Sequence, residues 1–314
     1  MNERYSKQII LDKIGTKGQQ KIAESKVAIV GIGALGTVAA ELLARSGVGE
    51  LLLIDRDVVE KSNLQRQMLF SEKDIGQSKA TSASKKLKEI NSEIIIKEEA
   101  IHLNPENINL IQDYNLVLDC TDNLKTRFLL NDYCKQNNLK WIYSSAIKTK
   151  GYVMPIFPEG PCLRCFLQEA NLESCDTSGV INTITTSIAS FQATLALKIL
   201  MEISIEPHLF FFDIWNYDFK KIKVNKNKNC PTCNGIFNFE KQEKIVRFCS
   251  TGKFQIIKKI NFEEIWNKLV KLGATENNTT LKFKNLQLFK DGRVLIKADS
   301  EKEAMIIYSK WIGD

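Results

Sequence analysis

The stretch Lys26 to Gly36, KVAIVGIGALG, decides the fold. Its first five residues read as a short buried strand, and three glycines follow at once: Gly31, Gly33 and Gly36. TVAAELLARSGVG then continues with helical spacing and stops at Gly47, and GELLLID supplies a second apolar strand ending at Asp55. Strand, glycine turn, helix and strand within about thirty residues make a βαβ unit, which implies a parallel right-handed crossover. In that setting Gly31 makes the tight turn, Gly33 lets the backbone approach a phosphate or ribose, and Gly36 lets helix and strand pack closely. The helix N-terminus offers N–H groups to an anion, and Asp55 can accept from ribose hydroxyls. Packing alone is the lesser alternative for the glycines in this context. On this stretch a dinucleotide and ATP are both open.

Outward from the glycine turn, strand and helix alternate. Residues 1–26 read as a helical arm. After a helix from Lys79 come the strand EIIIKEEA, the helix PENINLIQDY, the strand NLVLDCTDN, the helix LKTRFLLNDYCKQNN and the strand KWIYSSAI. The alternation predicts a doubly wound, Rossmann-like α/β sheet. Past Gly151 the pattern predicts a strand at YVMPIF, a cysteine loop, a long helix from about Ser178 to Ile203, and paired strands from His208. Residues 238–246 resemble a linker. Beyond them the spacing gives a strand, a helix, two strands turning at Asp291-Gly292, and a last helix, a small α+β unit long enough to fold alone. The boundary therefore falls at 1–240 and 241–314.

Composition narrows the class. The chain has 314 residues, 44% hydrophobic and 26% charged, ordinary for a globular protein with a real core. The longest apolar run, Val27 to Ala44, carries three glycines and Glu41, so it reads as strand-turn-helix and not as a membrane span. The N-terminal residues lack the apolar region of a secretory signal, which favours the cytoplasm as the expected compartment, where thiols stay reduced. The net charge of +7 is uneven: residues 220–314 hold 20 Lys and Arg against 10 Asp and Glu. A solvated lysine-rich surface explains this, as does a docking face for an acidic protein partner. The lysines are scattered and carry no nucleic-acid-binding signature, which argues against nucleic acid. Only His102 and His208 are histidines, which weighs against a histidine base.

The connection DVVEKSNLQRQMLFSEKDIG, Asp57 to Gly76, is long and without period, and such connections in compact domains usually carry function. It brings Asn63 and Arg66, and Lys79 opens the next helix. A pyrophosphate in a dinucleotide crevice is served by backbone N–H groups, whereas a triphosphate calls for Arg and Lys clamps. Asp122 lies just past a strand end, where a carboxylate beside a triphosphate can hold Mg²⁺; Asp122 and Asn123 can also cap the following helix.

The pairs Cys162-x-x-Cys165 and Cys230-x-x-Cys233 make a four-cysteine set of the kind that closes a structural tetrahedral zinc site. A thioredoxin-like role for Cys230-Pro-Thr-Cys233 lacks its βαβ context. Cys120, Cys134 and Cys249 fall on apolar patterns and read as core residues. Cys175 stands apart in a polar loop before the long helix. A helix N-terminus favours its thiolate and Asp176 opposes it; an inert loop cysteine is the alternative.

Taken together, the sequence resembles the ThiF/MoeB/HesA family of adenylyltransferases, relatives of ubiquitin-activating enzymes that activate ubiquitin-like sulfur-carrier proteins. The resemblance covers roughly residues 1–236. It rests on R-Y-S-K-Q at Arg4 to Gln8, G-I-G-A-L-G, the Asp55 strand end, S-N-L-Q-R-Q at Ser62 to Gln67, G-Q-S-K at Gly76 to Lys79, D-C-T-D-N at Asp119 to Asn123, and both cysteine pairs. It implies that Asp55 binds the ATP ribose, that Asn63, Arg66 and Lys79 contact the phosphates, and that Asp122 holds Mg²⁺. It further implies a homodimer whose N-terminal arm offers a basic residue, Arg4 or Lys7, to the partner's ATP. The second basic position of that arm is usually Arg; Lys7 keeps its charge but lacks the planar fork. Cys175 sits where members of the family can form a covalent sulfur or thioester link. The implied reaction is adenylation of the C-terminal carboxylate of a carrier ending in Gly-Gly, for sulfur transfer to molybdopterin, thiamine or tRNA or for protein conjugation. A sulfurtransferase is an implied further partner. Adenylation of a peptide or tRNA group within the same family and a nicotinamide-dependent oxidoreductase are the alternatives.

Overall fold

Two short helices, α1 (Ser6–Ile9) and α2 (Gly15–Ala23), precede the expected first strand, β1 (Lys26–Val30). The expected alternation follows: α3 (Gly36–Arg45), β2 (Glu50–Ile54), α4 (Lys79–Ile90), β3 (Ile95–Glu99), β4 (Leu116–Asp119), α5 (Leu124–Gln136) and β5 (Trp141–Ile147). Then come β6 (Lys150–Ile156), α6 (Asn182–Leu200), β7 (His208–Asp213) and β8 (Asp218–Lys223). The computed structural model describes residues 3–167, 178–239, 245–248, 253–256, 261–276, 280–289 and 293–313. The chain divides into two units, Met1–Glu240 and Lys241–Asp314.

In the first unit eight strands form one sheet in the order β3-β2-β1-β4-β5-β6-β7-β8. β3 to β5 run parallel; β5 to β8 are antiparallel. β1 is central, with Val27 opposite Leu51 on one side and Leu116 on the other. The strand order reverses there, between β1 and β4. At such a switch point the crossovers leave to opposite faces and open a crevice at the carboxyl ends of the strands. The residues at that edge are the glycine turn after β1, Asp55 after β2 and Cys120 to Asp122 after β4.

Both faces are covered, so the central strands read as continuous apolar runs. One core joins α3, α4 and α6 to the sheet through Leu43, Leu87 and Ile188, and the other packs α5 beneath Trp141 and Met154. Truncating Leu43, which is fully buried, to Ala would cost about 2–5 kcal/mol. Among the described residues no helix is long and apolar enough to cross a membrane.

Two expected helices differ. PENINLIQDY forms only a 3₁₀ turn at Ile108–Ile111. The backbone bonds there span three residues and not four, Leu110 N donating to Asn107 O at 3.1 Å and Gln112 N to Asn109 O at 3.0 Å, and Asn104 and Asn107 side chains hold the entry, Asn104 Oδ1 accepting from Glu106 N at 2.8 Å and Asn107 Oδ1 from Asn104 N at 2.8 Å. The long helix starts at Asn182, not near Ser178. Residues 179–181 pair instead with the β5–β6 turn, Lys148 N donating to Gly179 O at 2.9 Å and Ile181 N to Lys148 O at 3.0 Å.

The second unit contains β9 (Ile245–Phe248), β10 (Lys253–Ile256), α7 (Phe262–Lys271), β11 (Thr275–Glu276), β12 (Thr280–Phe283), β13 (Leu286–Phe289), β14 (Val294–Lys297) and α8 (Glu301–Trp311). Its strands make one antiparallel sheet, β11-β12-β13-β14-β10-β9, with more strands than the spacing suggested; β9 begins inside the expected linker. It has its own core, including Leu269, Leu281, Leu288, Ile296 and Tyr308. Cys249 and the Asp291-Gly292 turn lie outside the described residues.

Candidate active site and candidate metal centre

The glycine turn is built by close contacts. Gly31 has φ +92°, and a Cβ on it would lie 2.7 Å from the carbonyl oxygen of Cys120. A Cβ on Gly36 would lie 1.9 Å from the carbonyl oxygen of Gly31, so α3 can start this near β1 only without a side chain. Gly33 differs: its nearest neighbour would be Gln67 Nε2 at 3.8 Å, which leaves its backbone open to a ligand. No side chain caps the start of α3; Thr37 N is tied to Gly33 O at 3.0 Å, and an uncapped helix start of this kind is suited to an anion.

Asp55 is buried beside this turn. Its Oδ2 accepts from Ile32 N at 2.6 Å and its Oδ1 from Asp57 N at 2.7 Å. Burial pushes its carboxyl up and Lys79 pulls against that; the balance is upward. Two backbone donors leave lone pairs that can accept from ribose hydroxyls.

The aperiodic connection after β2 is ordered and closed at its base. Lys79 N donates to Asp57 O at 2.9 Å, Val59 N to Gln77 O at 2.9 Å and Gly76 N to Val59 O at 2.8 Å. Buried Val58, Val59, Leu69 and Phe70 anchor it. Asn63 spends its carbonyl oxygen inside the loop, accepting from Glu60 N at 3.0 Å. Arg66 is half-buried and donates to Ser62 O at 3.1 Å. Lys79 is buried, and its Nζ donates to Asp57 Oδ2 at 3.1 Å. Burial pushes the Lys79 ammonium down, but Asp57, Asp55 and Asp122 more than offset it and hold the pKa above the ordinary lysine value.

After β4 the D-C-T-D-N run divides its labour. Asp119 is fully buried, accepts from Thr121 N and Oγ1, and faces Arg127 Nε at 3.3 Å. Asn123 caps α5, accepting from Thr126 N at 2.9 Å. Capping thus falls to Asn123, and Asp122 stands exposed at the sheet edge beyond Lys79. In the N-terminal arm Arg4 is engaged with its own chain, at Ile90 O (3.0 Å) and Glu93 (3.6 Å), while Lys7 is exposed. The structure thus brings Gly31, Gly33, Gly36, Asp55, Lys79 and Asp122 to one edge and anchors Arg4 elsewhere. Cys175 lies outside the described residues.

Cys162, Cys165, Cys230 and Cys233 converge, all four Sγ atoms within 4.8 Å of one another. Cys162 and Cys230 are 3.5 Å apart, Cys165 and Cys233 3.5 Å, and Cys162 and Cys165 4.0 Å. Tetrahedral Zn–S bonds of about 2.3 Å imply S–S edges of about 3.8 Å. The donor set and its spacing therefore fit zinc. Asn227 N also donates to Cys165 Sγ at 3.4 Å, and that thiol is held below the ordinary value by this and the neighbouring donors against the opposing effect of burial.

Two carboxylates that hold these clusters together escaped the sequence reading. Asp57, Lys79's partner, is signalled only by its place two residues after Asp55 at a strand end. Asp132 is a polar residue at a fully buried helix position: it accepts from Thr232 Oγ1 at 2.6 Å and Asn238 N at 3.2 Å and faces Arg164 at 3.2 Å.

Comparison with known proteins agrees with this geometry. A family model described as "ThiF family" matches residues 5–232. The chain is 34% identical over 336 residues to the sulfur carrier protein ThiS adenylyltransferase of Bacillus subtilis, with 100% of both chains covered. It is 34% identical over 238 residues to the SAMP-activating enzyme E1 of Haloferax volcanii, covering 74% of this chain and 88% of that one. Among solved structures, Escherichia coli MccB crystallised with MccA-N7isoASN superposes with a TM-score of 0.67 at 25% identity, covering 74% of this chain and 75% of that one.

Proposed function

The chain belongs to the ThiF family and is an adenylyltransferase of the ThiF/MoeB type, and from that premise we propose that it adenylates the C-terminal glycine carboxylate of a ubiquitin-like sulfur carrier. One observation carries the assignment of the nucleotide: a buried Lys79 ammonium donates to Asp57, two residues past Asp55, at the sheet edge that holds the open glycine turn. A nicotinamide dinucleotide has no use for that cation, whereas a triphosphate does. For the carrier, a ThiS-type protein is favoured because similarity to the ThiS adenylyltransferase runs through both units, 100% of the chain, whereas similarity to the SAMP-activating enzyme and MccB spans 74%.

In this reaction a carboxylate oxygen of the carrier attacks the α-phosphorus of ATP, the bond to the bridging oxygen breaks, and pyrophosphate leaves. The carboxylate is already ionised, so no base is needed. Gly33 and the first N–H groups of α3 receive phosphate oxygens, Asp55 accepts from the ribose, and Asn63, Arg66 and Lys79 neutralise charge on the phosphates. Asp122, exposed and free of capping duty, is the carboxylate suited to Mg²⁺, which would neutralise further phosphate charge. Lys7 serves the partner protomer's site in a homodimer. The cysteine cluster takes a structural zinc. A sulfur nucleophile then attacks the acyl carbon and AMP leaves: sulfide gives the thiocarboxylate directly, the Cys175 thiol gives a thioester, and a sulfurtransferase persulfide gives an acyl disulfide that a second thiol reduces to the thiocarboxylate.

The test is ATP–pyrophosphate exchange. Exchange is expected with a ThiS-type carrier ending in Gly-Gly and not with the same carrier lacking its last glycine. Protein that binds MgATP yet exchanges with no such carrier would refute the assignment.

A further inference from the structure

Two effects oppose a charge on Lys79. It is the first residue of α4, at the positive end of the helix dipole, where a cation is disfavoured. Its side chain is only 8% exposed, so the ammonium has lost most of its hydration. Three carboxylates oppose these effects: Asp57, Asp55 and Asp122. They are not equivalent. Asp55 already accepts backbone hydrogen bonds at both oxygens, from Ile32 and Asp57. Asp122 acts from an exposed position. Asp57 accepts the hydrogen bond of the ammonium itself, at 3.1 Å.

Asp57 is also rigidly placed. Its N–H is bound to Asp55, its carbonyl accepts from Lys79 N at 2.9 Å, and Arg56 Nε lies 3.7 Å from its other carboxylate oxygen. Backbone and side chain of Lys79 are thus tied to one residue. Without that tie the ammonium would be drawn to Asp55 and would occupy the carboxylate needed for ribose.

We propose that Asp57 is the positioning residue of Lys79, a carboxylate that aims the ammonium at the nucleotide phosphates and keeps it off Asp55. The proposal rests on the nucleotide reading above. Asp57 touches no reacting atom; it acts through Lys79.

The experiment is a double-mutant cycle on the full chain, with MgATP affinity measured by calorimetry in the absence of carrier. Asp57→Asn keeps the shape and the backbone ties but removes the charge. It is expected to weaken MgATP binding about tenfold, and Asp57→Glu to recover part of the loss. In a Lys79→Met background the same Asn change is expected to weaken binding no further, because the residue it positions is gone. Equal weakening in both backgrounds would mean a merely structural role, and unchanged or tighter binding by Asp57→Asn alone would also overturn the proposal. If the Asn variant does not fold, Asp57→Ser goes through the same cycle. Failure of the wild-type chain to bind MgATP would strike the nucleotide reading instead.

Discussion

The hydroxyl of Thr232 donates to the carboxylate of Asp132 at 2.6 Å, across one hundred residues of sequence. Thr232 stands inside the second cysteine pair. Its neighbour on α5, Asn131, accepts from Leu163 N at 2.8 Å, inside the first pair, and Arg164 of the same pair faces Asp132. One helical dipeptide therefore holds both halves of the cysteine cluster in register. Asp132→Ala removes an acceptor shared by Arg164 and Thr232 and is expected to destabilise the first unit by about 3 kcal/mol. Denaturant titration checks this; a loss below about 1 kcal/mol would show that the cysteines align without Asp132.

Zinc content gives the second prediction. The purified chain is expected to carry one zinc per molecule and to lower its melting temperature when a strong chelator removes it. Cys230→Ser should do the same permanently. A metal-free chain with the same melting temperature in chelator and in zinc would remove the cluster from the account of stability.

The glycine turn separates folding from binding. Gly36→Ala drives a methyl group into the carbonyl of Gly31, 1.9 Å away, so the variant is expected to lose several kcal/mol or fail to fold. Gly33→Ala meets nothing closer than 3.8 Å. It should melt near the wild-type temperature yet lose the stabilisation of about 2.7 kcal/mol expected from MgATP at a hundred times its Kd. NAD at the same concentration is expected to stabilise neither chain. A Gly33→Ala variant with full MgATP stabilisation would place the phosphates elsewhere.

Acid sensitivity should trace in part to Glu50. Burial pushes this carboxyl up, but hydrogen bonds from Lys97 and Tyr114, both 2.8 Å, more than offset it and leave it below its ordinary value of 4.5. A folded pKa below the unfolded one means stabilisation that is present above the unfolded value and is lost as pH falls through the folded one. Glu50→Gln should therefore be less stable than the wild type at about pH 7, with the difference shrinking below about pH 4. Thermal melts across that range decide it; a constant difference would mean that the charge of Glu50 plays no part.

Arg4 and Lys7 should separate by readout. Arg4 binds the C-terminal end of α4 through Ile90 O and pairs with Glu93. Arg4→Ala is expected to cost about 0.5–1 kcal/mol of stability with little change in exchange per folded molecule. Lys7→Ala should leave the melting temperature alone and lower the exchange rate. The reverse pattern would assign the arm's catalytic contact to Arg4.

Much of this was legible in the chain itself. The period of KVAIV, the glycines after it and Asp55 at the next strand end specify a parallel βαβ unit, because local sterics and side-chain alternation act over a few residues and leave a direct trace. The cysteine pairs announce a cluster through ligand chemistry alone. Tertiary structure decided what depends on partners distant in sequence. PENINLIQDY has helical spacing, but its backbone closes in tighter three-residue bonds, Leu110 N to Asn107 O and Gln112 N to Asn109 O. Arg4 and Lys7 look alike in the sequence, and only the nearness of Ile90 and Glu93 distinguishes them. Asp57 reads as loop filler until α4 brings Lys79 to 3.1 Å from it. Periodicity records which face of an element is buried; it does not record which charge from another element meets a side chain there, and the meeting of Lys79 with Asp57 is of that kind.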